Sequence, residues 1–483
     1  MNRPIRTLAV GCLVLFLALL ANITYVQVFK ANSLNNASGN TRARDAECAR
    51  RRGPILVDGN TVAKSVKSHD RLKWIRHYSQ PGLYAPATGF FSCYYGTKAV
   101  ENSENSILSG SDQRLFVNRV IDLVGNSQPQ GGSVLLTLDP AAQRAAWDGL
   151  HALPGKTRGA VVALDPRTGA ILALVSTPSY NPNLLATHDF TRAKAVWQRL
   201  VASGQMVDIG TQEIYPPGST FKLITAAAAL SSGYSPDSTV RGGASLPLPL
   251  STKVLHNDAG SNCGGNTISL THALVVSCNV SFADLGLKLG AAKLRAQAQR
   301  FGFGQRPIDQ LPAVASVFPA KLDAPETALS AIGQYDVAAS PLQMAMVAAG
   351  IANGGAVMKP YIVDEVRSPT LDVLDRATPQ VLHQAVSASV ASQLTEMMVN
   401  VVESGTGRTA RIPGVVVAGK TGTANSTPTR APYAWMVTFA PANNPKVAVA
   451  VFVQKTGVPS ANIYGATIAG PIARKVMEAV INQ

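Results

Sequence analysis

Three short stretches carry residues that can do chemistry together. In "YPPGSTFK" (Tyr215 to Lys222) a serine, Ser219, precedes a lysine, Lys222, by three positions. Positions three apart share one face of a helix, so the hydroxyl and the amine can meet. Pro216, Pro217 and Gly218 fix the approach to a first turn whose free backbone N–H groups make it electropositive. An uncharged lysine there can take the serine proton and leave an alkoxide-like nucleophile. It needs a depressed pKa to do so, from burial or from a second cation. Ser277 and Asn279 stand in "SCN", inside the apolar helical run "THALVVSCNVSFADLGLKLG". Ser277 can relay a proton between Lys222 and a leaving amine, and Asn279 offers a donor and an acceptor to a substrate amide. Lys420, Thr421, Gly422 and Thr423 follow the apolar strand "GVVVAG". Lys420 supplies the second cation, the threonine hydroxyls receive a carboxylate, and Gly422 lets a ligand or another backbone come close. Taken singly, each stretch reads equally well as a serine cap, a buried amide or an edge strand. Together they describe one serine-acylation site.

The elements that must hold these residues are legible in outline. "GAVVALD" and "AILALVS" are two apolar strands joined by the "PRTG" turn. The end of the chain returns to strands in "GVVVAGKTGTA", "APYAWMVTFA" and "KVAVAVFVQ", with a last helix from about Ala466 to Val480. Helical patterns start at Ser219, Ile268, Leu342 and Ser387. Two early strands, three late ones and helices between predict an α+β fold with a five-stranded antiparallel sheet sandwiched by helices. Ahead of it, "GPILVDGNTVAKS" reads as two strands about an Asp58-Gly59-Asn60 turn. "NSQPQGGS" (Asn126 to Ser133) reads as a linker, "SVLLTLD" as a strand, and "PAAQRAAWDGLHAL" as a helix capped by Asp139.

The N-terminus sets the compartment. Leu8 to Phe29 is apolar over enough residues to span a bilayer, follows Arg3 and Arg6, and has no small-residue cleavage site directly after its apolar run. An uncleaved single anchor is expected, with all that follows Lys30 outside the cytoplasm. The domains expected are 1–30, cytoplasmic stub and anchor; 31–154, an N-terminal pedestal or dimerisation-like unit; and 155–483, the catalytic unit. Net charge is +15 on 483 residues, with only 15% charged residues. The basic excess is spread out, "RARDAECARRRG" being its one short cluster, which excludes a nucleic-acid reading. That surface suits anionic lipid headgroups. Cys48, Cys93, Cys263 and Cys278 lie where disulfides persist. Cys48–Cys93 and Cys263–Cys278 are plausible pairs, with free buried thiols as the alternative. Neither Cys-x-x-Cys nor His-x-x-x-His spacing occurs, so no metal site is expected.

The order and spacing of Ser219–Lys222, Ser277–Asn279 and Lys420–Thr423 resemble those of the penicillin-recognising serine transferases. "GAVVALDPRTGAILALVSTPSYNPN", "AIGQYDVAASPLQMA" and "WMVTFAPANNPKVAVAVFV" resemble the transpeptidase domain of class B penicillin-binding proteins, in their actinobacterial penicillin-binding protein A branch. "RRGPILVDGN" and "YGTKAVENSENSILSG" resemble the pedestal of that class. The resemblance implies a peptidoglycan D,D-transpeptidase of the cell membrane, acting on stem peptides that end in D-Ala-D-Ala and acylated by β-lactams. It implies Ser219 as nucleophile, Lys222 as base, and Ser277 with Lys420 passing the proton on. Backbone N–H groups of Ser219 and Thr423 would form the oxyanion hole, Thr421 and Thr423 would hold the terminal carboxylate, and Asn279 the acyl side chain. It implies no cofactor, and a SEDS-type glycosyltransferase as partner.

Other readings share parts of this chemistry. A D,D-carboxypeptidase or β-lactamase uses the same serine, but no Glu-x-x-Leu-Asn-like segment follows Asn279 to activate water. A β-lactam sensor or scaffold with a vestigial serine fits poorly with intact Lys222 and Lys420. In "ESGTGRTAR" (Glu403 to Arg411) the Gly405-x-Gly407 pair follows a helix and lies outside the cytoplasm, which argues against a nucleotide site. It reads as a loop beside the active site with structural threonines.

Overall fold

The computed structural model describes residues 3–30, 33–34, 41–115, 130–424 and 431–482. Most of the expected linker before Ser133, and part of the stalk after Lys30, lie outside the described residues. Arg3–Tyr25 is one helix that continues through Val26–Lys30, and none of its residues is buried among the described residues. At 28 residues it is long and apolar enough to cross a membrane. Its ~42 Å exceed the ~30 Å of a hydrocarbon core.

The five-stranded antiparallel sheet predicted from the sequence forms. Its order is Ala418–Ala424, Tyr433–Ala440, Val447–Lys455, Arg158–Leu164 and Ile171–Thr177. These strands are apolar nearly throughout because helices cover both faces. Pro140–His151 and Gly470–Ile481 pack on one face, against Val161, Ala163, Met436 and Val449. Lys222–Leu230 and Pro341–Ala352 lie on the other side, in a core with Val162, Trp435, Val437 and Phe452. Asp139 caps the helix Pro140–His151 by accepting from the Ala142 N–H at 2.7 Å, a bond worth about 1 kcal/mol.

A second sheet of six strands forms the N-terminal unit. It runs Val373–Arg376, Val363–Arg367, Ser133–Leu136, Ile55–Val57, Asn60–Lys67, Trp74–Tyr78. The Asp58-Gly59 turn has φ of 46° and 71°, and Val57 pairs with Asn60. That is the two-residue hairpin whose twist matches its strands. Two of the six strands come from late in the chain: Val363–Arg367 pairs with Ser133–Leu136, and Val373–Arg376 extends the edge. In exchange, the helix Pro140–His151 packs on the five-stranded sheet, so a cut at residue 154 follows neither layer.

Beneath the six-stranded sheet lies a charged cluster fully removed from water. Glu101 Oε2 accepts from Arg52 Nη2 at 2.7 Å, and Glu101 Oε1 accepts from Arg76 Nε and, at 3.0 Å, from the Tyr78 hydroxyl. Burial pushes the Glu101 carboxyl up, but the two guanidinium groups outweigh it and hold the group below its ordinary value. Replacing Glu101 with Gln leaves Arg76 buried without a counter-charge and Arg52 with Glu47 alone, 3.4 Å away. A loss of roughly 3–5 kcal/mol is expected, read as a lower denaturant midpoint for Glu101→Gln.

Both pairings weighed from the cysteine positions form. Cys48–Cys93 and Cys263–Cys278 have Cα separations of 5.7 Å and 5.8 Å, within the range a disulfide spans. The first ties the helix Thr41–Cys48 to the N-terminal unit. The second joins the loop before Gly264 to the residue between Ser277 and Asn279.

Candidate active site

Ser219 lies in a short 3₁₀ turn, Gly218–Phe221, that leads into the helix Lys222–Leu230. Side chains three apart eclipse in such a turn, and the Lys222 N–H closes it by donating to Ser219 O. The turn is held from three directions. Tyr215 exchanges two backbone hydrogen bonds with Ala339, the Trp435 indole donates to Pro216 O at 3.0 Å, and Gly218 N–H donates to Gly333 O at 2.9 Å. Gly218 has φ +53°, and a Cβ there would stand 2.8 Å from Thr423 O, so only glycine fits. The same contact places the turn against the strand Ala418–Ala424. Gly422 is crossed by that turn as well: a Cβ would meet Thr220 Cγ2 at 2.9 Å and Pro217 O at 3.0 Å.

Ser277 does not continue a helix, as its apolar surroundings suggest. One helix ends at Val275 and the next begins at Asn279. Between them Ser277 takes φ +58°, a left-handed conformation rare outside glycine and asparagine. The break turns the Ser277 carbonyl and hydroxyl toward the lysines. Lys222 Nζ donates to Ser277 O at 2.7 Å and to Asn279 Oδ1 at 2.7 Å, with Ser277 Oγ at 3.3 Å. Lys420 Nζ donates to Ser277 Oγ at 2.8 Å and to Thr421 O at 3.0 Å. Of the eight residues singled out from the sequence, Lys222, Ser277, Asn279 and Lys420 are joined by hydrogen bonds at one cleft, and the turn that carries Ser219 lies against the strand of Thr421, Gly422 and Thr423. Thr421, Gly422 and Thr423 lie on the wall that is the edge of the five-stranded sheet. Half of an edge strand's backbone groups are free for a ligand.

Both lysines are fully buried. Burial first, and the charge of Lys420 second, push the Lys222 ammonium well below its ordinary value, with Asp258 opposing. Burial pushes Lys420 down to about 7, again against Asp258. These surroundings favour the neutral form of Lys222. Its two N–H bonds satisfy Ser277 O and Asn279 Oδ1, which leaves the nitrogen lone pair for the Ser219 proton.

A nearby cation lowers a lysine pKa, so removing that cation raises it. In Lys420→Gln the Lys222 pKa rises, and the acid limb of the pH profile for penicillin acylation moves to higher pH. The rate at pH 7 should fall roughly 10²-fold and recover in part at pH 9. An acid limb that stays in place would show that Lys420 does not set the Lys222 pKa.

Two contributors, Trp435 and Asp258, escaped the sequence reading, and the loop read as lying beside the active site supplies a third, Thr406. The Thr406 hydroxyl lies 2.8 Å from that of Thr421, and Thr406 N–H donates to Val275 O. The loop Glu403–Arg411 therefore bridges two walls of the cleft, and Gly405 touches Val275 O where a Cβ would stand at 2.4 Å. The Gly405-x-Gly407 pair was its sequence signal. Trp435 and Asp258 had none, since each acts across a long separation. The Asn279 carbonyl accepts from Lys222, and its amide points to His256 O and Asp258 Oδ1 at 3.3 and 3.4 Å.

Residues 159–478 match the model of the penicillin binding protein transpeptidase domain. The chain belongs to this family. Residues 52–134 match the penicillin binding protein A dimerisation domain. The chain is 43% identical to the peptidoglycan D,D-transpeptidase PbpA of Mycolicibacterium smegmatis, over the whole of both chains. It is 42% identical to that of Mycobacterium tuberculosis, over all of this chain and 99% of the relative. Among solved structures, penicillin-binding protein A from M. tuberculosis as a ceftriaxone acyl-enzyme complex superposes with a TM-score of 0.87 at 42% identity. That match covers 90% of this chain and all of the other. The imipenem acyl-enzyme complex of the same protein gives 0.85 over 90% and 99%. The N-terminal helix fits the single membrane anchor of such a protein.

Proposed function

We propose that this chain is a membrane-anchored peptidoglycan D,D-transpeptidase in which Ser219 is the nucleophile. The observation that carries this reading is the hydrogen-bonded run Asn279, Lys222, Ser277, Lys420, with both lysines fully buried, beside the Ser219 turn. Lys222 takes the Ser219 proton as Oγ attacks the penultimate D-Ala carbonyl. Backbone N–H groups of Ser219 and Thr423 stabilise the oxyanion, Ser277 hands the proton to the leaving D-Ala, and Lys420 holds Ser277 in line. Thr421 and Thr423 receive the terminal carboxylate. The amine of a second stem peptide then resolves the acyl-enzyme into a cross-link. Relatives named peptidoglycan D,D-transpeptidase PbpA and a relative solved as β-lactam acyl-enzymes support the reading.

In this reading residues 1–30 anchor the chain, residues 31–154 supply most of the pedestal, residues 155–483 carry the catalytic unit, and both units lie outside the cytoplasm. Arg3 and Arg6 hold the N-terminus inside. A SEDS-type glycosyltransferase is the partner we assign to anchor and pedestal. The test is product analysis with nascent glycan strands bearing D-Ala-D-Ala stem peptides: release of D-Ala together with dimeric stem peptides is expected. Release of D-Ala without dimers would make the protein a carboxypeptidase instead.

A further inference from the structure

Resolving the acyl-enzyme requires an amine, and alkylamines are protonated near pH 7. That cation must enter a cleft holding the Lys420 ammonium, on a chain of net charge +15. Like charges repel it at both ranges.

One carboxylate sits where it offsets this repulsion. Asp258 is exposed beside the cleft, and its Oδ1 lies 3.4 Å from Asn279 Nδ2, while Asn279 Oδ1 holds Lys222 Nζ at 2.7 Å. It stands one amide group away from the catalytic amine. Its place is fixed on both sides. The neighbouring Asn257 is buried, donates to Gly243 O at 2.8 Å and to Ser261 O at 2.7 Å, and accepts from Val280 N–H at 3.0 Å. The Cys263–Cys278 bridge then ties the far end of this loop to the Ser277-to-Asn279 turn. Its negative charge opposes the burial of both lysines, so its field reaches the reacting atoms.

We propose that Asp258 docks the ammonium group of the incoming acceptor and is a specificity-determining residue of the second half-reaction. This rests on the serine acyl-transfer reading given above. Docked there, the ammonium loses one proton to water, and its nitrogen lone pair attacks the carbonyl carbon of the Ser219 ester. The C–N bond forms, the C–Oγ bond breaks, and the second amine proton passes through Lys222 to Ser219 Oγ. No oxidant, reductant or further reactant is needed.

The test uses the full-length protein in detergent, acylated by a D-alanyl thioester substrate at pH 7. Transfer of the acyl group is compared between glycinamide, largely an ammonium at that pH, and hydroxylamine, which is uncharged. The ratio cancels any change in acylation. Asp258→Asn should lower the glycinamide-to-hydroxylamine ratio by at least about fivefold, and Asp258→Glu should keep it within about twofold of the parent. In the unaltered protein, rising salt should reduce glycinamide transfer and spare hydroxylamine, which tests the idea without any variant. A ratio unchanged in Asp258→Asn, an equal loss in Asp258→Glu, or salt-independent glycinamide transfer would each overturn it. Failure of the unaltered protein to form any acyl-enzyme would instead sink the reading of Ser219.

Discussion

Ser219→Ala is expected to remove covalent labelling by fluorescent penicillin altogether, with the acylation rate down about 10⁶-fold, the scale for loss of a nucleophile. The side chain is only 6% exposed, and deleting one hydroxyl from the turn leaves its fixing bonds intact. Those bonds run through Tyr215, Pro216 and Gly218. Melting of the variant should therefore match the parent, which separates lost chemistry from lost fold. Mass spectrometry of the parent after penicillin G should place the adduct on the peptide that contains Ser219. Labelling that persists in the variant, or an adduct on Ser277, would refute the assignment.

Lys222→Met carries the second-largest expected effect. Methionine fills the same buried volume without an amine, so the base is lost while the packing over Phe282 is kept. Acylation should fall ~10²–10⁴-fold, the contribution of a positioned general base. The pH dependence gives a sharper signature. A base must be unprotonated, so acylation in the parent declines as pH drops through the depressed Lys222 pKa. In Lys222→Met that limb should vanish and leave a low, flat rate. Ser277 O and Asn279 Oδ1 lose a donor in this variant, so some loss of stability accompanies it. A variant that retains the parent's acid limb would assign the titration to another group.

Much of this site could be read from residue order because its chemistry is concentrated in short motifs. Ser219 with Lys222, and Lys420 with Thr423, are local spacings that survive any detail of the fold. The five-stranded sheet was legible for a similar reason: five apolar runs bounded by turn residues leave few antiparallel arrangements. The Asp58-Gly59 hairpin and the Asp139 cap were equally local. What stayed hidden depends on distant partners or on backbone strain. The apolar residues around Ser277 continue a helical pattern, and tertiary bonds to Lys222 and Lys420, with the Cys263–Cys278 bridge, hold the left-handed break. Thr406 and Asp258 enter through loops whose composition says "surface" and nothing about which wall they reach. The strands Val363–Arg367 and Val373–Arg376 have strand-like patterns, yet no periodicity tells that they complete a sheet begun some three hundred residues earlier.

That shared sheet has a mechanical corollary. Besides the pairing of Val363–Arg367 with Ser133–Leu136, Asn183 exchanges two hydrogen bonds with the Tyr78 backbone at 2.8 and 2.9 Å. A pull on the N-terminal unit would thus be shared by the catalytic unit through these cross-links, where a lone linker would dissipate it. Pedestal and cleft should tilt together as one lever, and severing the chain between them should yield two insoluble halves instead of two working parts.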